Sequence, residues 1–194
     1  MGTFTNALIR EIGRNYGKAI SNALLGDKHS NPVRIVGGSG RVLGKGTGGR
    51  NYLNKLEKLI ETYEIKGATA TFNVAQNMTN YYMGLVEEAQ ADGIISLLET
   101  EYLLKTFEKC HKEMKKIYNA LGDLDRQDWA EKVASKSEDL WAFVIELQRN
   151  FEVPDAPSSF GFGKKYKLKK LNYKLALHLK EKLDHYKKVA DSLK

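Results

Sequence analysis

The 194-residue sequence has only 1 cysteine, 3 prolines, 4 histidines and 2 tryptophans, and each scarcity excludes something. The lone thiol, Cys110, cannot close an internal disulfide, which points to a reducing compartment. So few prolines leave long stretches free to be helical. No apolar run approaches the roughly 20 residues that a membrane-spanning helix needs. The first residues, MGTFTNALIREIGRNYGK, contain neither the unbroken apolar segment nor the cleavage site of a secretory signal. Asn6 stands where a myristoylation pattern wants Ser or Thr. The expectation is a cytoplasmic protein. No nucleophile elbow, paired CxxC or HExxH is present, so no catalytic residue is assigned, no cofactor is expected, and a non-enzyme is favoured.

What is present is an ordinary globular composition, with 42% apolar and 28% charged residues. The net charge of +7 is unevenly placed. Residues 1–50 carry 8 Lys and Arg against 2 Asp and Glu, residues 51–163 carry 12 against 19, and residues 164–194 carry 11 against 3. The balances are +6, −7 and +8, an acidic middle between two basic ends.

Hydrophobic spacing predicts an all-α protein: an antiparallel helical bundle with a tethered N-terminal amphipathic helix. In residues 1–25, Phe4, Leu8, Ile12, Tyr16 and Ile20 recur at four-residue steps along one helix side. Gly13 and Gly17 each cost about 1 kcal/mol relative to alanine, so this helix needs something to dock on. Residues 26–50 hold seven glycines between positions 37 and 49 and read as a basic tether. The only strand-like run is the short stretch 33–36.

Residues 51–151 are expected to form the bundle. Tyr52, Leu56, Leu59 and Tyr63 make a first stripe, and Gly67 breaks it. Phe72, Ala75, Met78, Tyr82, Leu85 and Ala89 make a second, ending at the Asp92-Gly93 turn. Ser96 with Glu99 fits a capping box for the next helix, whose buried stripe is Leu97, Leu104, His111 and Tyr118 and whose stop is Gly122. Asp125 and Asp128 suit the start of the helix carrying Trp129, Val133, Leu140, Val144, Leu147 and Phe151. Residues 152–165 are a linker. Residues 166–194 form a basic helix that packs on the bundle through Leu168, Leu171, Leu175, Leu179, Leu183, Tyr186, Ala190 and Leu193.

Several patterns suggest chemistry and fall short of it. VRIVGGSGRVLGKGTGG resembles a phosphate-binding loop, but Ser39 and Gly46 replace residues that the Walker pattern requires. Leu43 breaks the dinucleotide pattern in the same way. Glu108 and His111 make one Glu-x-x-His motif, where a bundle di-iron site needs two. Cys110 and His111 diverge by about 100° on a helix, a poor nucleophile–base pair. His178, Glu181 and His185 share one strip of the last helix, a weak pattern for a divalent metal. A solvated surface helix produces the same spacing.

The basic ends carry the strongest functional signal. FGFGKKYKLKKLNYK interleaves Phe160, Phe162, Tyr166 and Tyr173 with Lys164, Lys165, Lys167, Lys169, Lys170 and Lys174. Lysines neutralise phosphates and aromatics stack on bases, a combination used on single strands. Arg41, Lys45 and Arg50 in the tether extend the set of anion-binding candidates. The competing reading is that the tyrosines and leucines face the bundle while the lysines stay in water.

A local pattern also stands out. EEAQADGIISLLETEYLLKTF, residues 87–107, resembles the helix–turn–helix segment of tellurite-resistance TerB-like domains. The resemblance rests on Ala91, Asp92, Gly93, Ser96 and Glu99, whereas Leu97 and Leu98 stand where polar residues are usual. It implies an all-α domain acting in protein complexes, in some members with acidic metal-binding residues.

The leading expectation is thus an interaction or assembly protein that docks a protein partner, or itself, through the N-terminal helix. Nucleic-acid binding by the C-terminal segment is the first alternative. Association with an anionic membrane surface is the second.

Overall fold

A computed structural model describes residues 49–91, 93–158 and 160–192, with residues 49 and 50 described as backbone only. The expected helix at 1–25 with Phe4, Leu8, Ile12, Tyr16 and Ile20 lies outside the described residues. So do the tether up to residue 48 with Arg41 and Lys45, the run at 33–36, the Arg50 side chain, Asp92 and Leu193. The described chain is an all-helical, five-helix bundle: α1 Gly49–Thr62, α2 Ala68–Gln90, α3 Leu97–Asp123, α4 Gln127–Asn150 and α5 Gly163–Asp191.

Local sequence explains most of the helix boundaries. Gly67, extended at φ −138, separates α1 from α2 as its break in the stripe predicts. The capping box at α3 is present in full. The Glu99 amide donates to Ser96 Oγ at 3.3 Å, and the Ser96 amide donates to Glu99 Oε2 at 2.8 Å. Both side chains are buried, so the reciprocal bonds offset their desolvation.

The end of α3 corrects the expectation. Gly122 lies inside the helix, and Asp125, expected to open the next one, instead stops this one at φ 56. The Arg126 amide bonds the Leu121 carbonyl at 2.9 Å and the Asp125 amide bonds that of Gly122 at 3.0 Å. That is a Schellman ending with aspartate in the left-handed position usually held by glycine. Asp128 does sit in the first turn of α4.

The core gathers Leu56 from α1, Met78, Tyr82 and Leu85 from α2, Leu104, Phe107 and Met114 from α3, and Leu140 and Val144 from α4. Leu179 and Leu183 of α5 complete it. Each fully buried side chain of this size contributes about 1.5–3 kcal/mol. Gly84 lets α1 lie close on α2: a Cβ there would stand 2.8 Å from three ring carbons of Tyr52. Only a residue without a side chain admits the ring in that position.

Candidate functional site

Helix α5 is built in two parts. From Ala176 onward it is rooted in the body, with Ala176, Leu179, Leu183 and Ala190 buried and Tyr186 and Val189 partly so. From 163 to 175 no residue is buried. Leu168 and Leu171, expected on the packed face, are 53% and 63% exposed, so that stripe meets the core only over its C-terminal part. The helix also begins at Gly163, inside the expected linker, which makes Lys164 and Lys165 helical. Lys164, Lys165, Lys167, Lys169 and Lys170 are all exposed. At about 100° per residue they spread around the whole circumference. Lys174 is exposed too, and none of these six lysines has an ion pair among the described residues.

The segment before the arm is a shaped turn. Gly163 takes φ +87 and Phe162 is extended. The Tyr166 ring folds back over Gly161 so closely that a Cβ at 161 would fall 1.9 Å from ring Cδ2. Tyr166 is therefore occupied in holding the turn, and Tyr173 is half-buried. Phe160 and Phe162 are 87% and 92% exposed.

The root is fastened by polar contacts that sequence spacing did not reveal. Glu108 Oε1 accepts from the Tyr186 hydroxyl at 2.6 Å and from Lys182 Nζ at 2.9 Å. Partial burial pushes the Glu108 carboxyl up, but the Tyr186 and Lys182 donors outweigh it and hold the group below its ordinary value. Gln148 Nε2 donates to Asp184 Oδ1 at 2.9 Å, and Lys180 lies 3.1 Å from the same oxygen. The partners of Glu108 are 74 and 78 residues away, so no local pattern could have exposed the pairing.

Two of the other chemical candidates, His111 and Cys110, are taken up in packing. His111 stacks on Phe107, and its Nδ1 accepts from Trp141 Nε1 at 3.3 Å. Burial, with the Lys115 charge, lowers its pKa to about 4, so at neutral pH it is an uncharged acceptor. Burial pushes the Cys110 thiol up to about 12, far from thiolate chemistry. Glu108 and His111 thus serve different neighbours. His178, Glu181 and His185 are exposed on α5, and no group of three metal-ligating side chains gathers among the described residues. A groove of about 370 Å³ between α1 and α3 is floored by Leu53, Leu56, Ile60 and Tyr102 and edged by Lys105, Lys109 and Lys112. Its polar groups form no nucleophile–base pair.

The fold and its uncovered element define a helical bundle bearing a basic, aromatic-tipped arm. No family model matches the chain, and no curated protein or solved structure matches it. Among the described residues no helix is long and apolar enough to cross a membrane.

Proposed function

We propose that this is a non-enzymatic interaction protein whose helical body presents a basic arm to nucleic acid. The supporting observation is the run 163–175, where six lysines are exposed and have no ion pair among the described residues. The sequence carries no acidic residue from 156 to 180 to neutralise them. Like charges crowded on about 20 Å of helix repel one another, and a polyanion relieves that repulsion while releasing its own counterions.

Lysines on every side of the arm suit a strand that follows or encloses a helix. An amphipathic helix lying on a membrane segregates its charges to one face, and this one does not. Fluorescence anisotropy of labelled oligonucleotides against salt tests the reading. Affinity should fall steeply, with a log–log slope of about −4 for a single strand if all six lysines meet phosphates. Absence of binding at about 20 mM salt would overturn it.

The proposal includes an assembly role for residues 1–25 and an antiparallel arrangement of the body helices. The four-residue recurrence of Phe4, Leu8, Ile12, Tyr16 and Ile20 supports the first. The pairing of Tyr82 with Leu103 and of His111 with Trp141 supports the second. Deleting residues 1–50 should change the oligomeric state or abolish capture of a protein partner. An unaltered sedimentation profile and unaltered partner binding would remove the assembly role.

A further inference from the structure

We propose that the arm takes single-stranded nucleic acid, with bases stacking on Phe160 and Phe162 while the lysines behind them track the phosphates. This rests on the nucleic-acid reading above and narrows it to a ligand class and a pair of contact residues. Two phenylalanines at 87% and 92% exposure are the most uncovered of the exposed large apolar side chains in the described chain. They are not on a slack loop. Gly163 at φ +87, the Tyr166 ring against Gly161, and the Phe160 amide on Ser158 Oγ at 3.3 Å define the turn that carries them. One residue separates the two phenylalanines, so both rings stand at the same end of the arm, immediately before its lysines.

Single strands are favoured over duplex by the same geometry. A phenyl ring reaches a base face only where the base is unstacked, and a duplex step must first be pried open at a cost in stacking and pairing. Phenylalanine has no hydrogen-bonding group, and residues 156–180 contain no arginine to grip guanine edges. Recognition is accordingly tolerant of sequence. Charge and aromatics divide the work: lysines set the salt dependence, and the rings set the preference for unpaired bases.

The test titrates the full chain with labelled oligothymidylate, a duplex of equal length and an abasic oligonucleotide, at one salt concentration. Oligothymidylate should bind at least about tenfold tighter than duplex. The F160A/F162A double variant should lose about tenfold or more on oligothymidylate. Its affinity for the abasic strand and its salt slope should stay unchanged. Both residues are exposed, so the variant keeps the core intact. Wild-type binding to all three ligands, with no strand preference and no effect of the double variant, would overturn the inference and leave the nucleic-acid reading standing. Absence of binding to any of them would overturn both. Loss of the variant's affinity for acidic phosphatidylserine vesicles, with none for oligothymidylate, would assign the rings to a membrane and overturn the inference as well.

Discussion

The two parts of α5 have similar sequences and opposite fates. Leucines recur at three- and four-residue steps through both, and lysines fill the intervening positions in both. In the root, Leu179 and Leu183 are 1% and 0% exposed, and Lys180, Lys182 and Lys187 each meet a carboxylate within 3.1 Å. In the arm, Leu168 and Leu171 are more than half exposed, and the lysines have no ion pair among the described residues. Periodicity therefore says which way a face points. It does not say whether another helix lies under it.

The largest effect should separate the two parts by stability. Leu183→Ala removes a fully buried side chain and should cost about 2–5 kcal/mol in urea unfolding. Leu171→Ala changes an exposed one and should stay within about 0.5 kcal/mol. Equal losses would mean that the arm is packed in solution, and the contrast would collapse.

Acid should weaken the region where the root is fastened. His111 lies against Phe107 and Trp141, both of which also pack on Tyr186, with the Lys115 charge acting on it and Glu108 bound to Tyr186. Its folded pKa of about 4 lies below its unfolded value of 6.5. Between those values the unfolded chain binds the proton and the folded chain does not, so stability rises with pH across that window. Lowering the pH from 6.5 to 5 should cost about 1–2 kcal/mol through this group. Glu108, held below its ordinary value, adds a further loss only at lower pH, as it protonates. His111→Gln keeps an acceptor for Trp141 and should flatten the profile between pH 5 and 6.5, whereas substitutions in the arm should leave it unchanged.

Much of the body was legible in the sequence, because helix periodicity and capping are local. The Ser96–Glu99 box and the stripes through Met78, Tyr82, Leu104 and Leu140 all fall where their spacing placed them. Three features were not legible, for a common reason. The Gly84–Tyr52 approach, the Glu108 contacts with Lys182 and Tyr186, and the point where α5 leaves the core each depend on helices far apart in the chain. Asp125 failed differently: carboxylates suit helix starts by charge, yet aspartate also tolerates the left-handed turn that ends one. At the candidate site the lysines and aromatics were readable as a set. That Tyr166 turns inward while Phe160 and Phe162 stay out was not, since it follows from the positive φ of Gly163 and the missing side chain of Gly161.

Breaking one polar fastening should have a smaller effect. Glu108→Gln keeps the shape but removes the charge that Lys182 and Tyr186 address. Glu108 is 38% exposed and Lys182 33%, so water screens the pair and the loss should be about 1 kcal/mol. The loss belongs to the root: binding of oligothymidylate by the arm should be unaffected.

The smallest effect on stability should have the opposite sign. Lys170 stands three residues from Lys167 and four from Lys174, so it faces like charges on both sides along the helix. Each such pair costs about 0.2–0.5 kcal/mol, and reversing the central charge turns two repulsions into attractions. Lys170→Glu should therefore slow amide hydrogen exchange across residues 163–175 and leave the slow exchange of the root as it was. The same substitution should weaken oligonucleotide binding and reduce the salt slope by about 1 or more. A residue kept only to hold the helix in water would show no such trade between local order and affinity. If exchange in the arm is already as slow as in the root, the boundary near residue 175 is drawn in the wrong place.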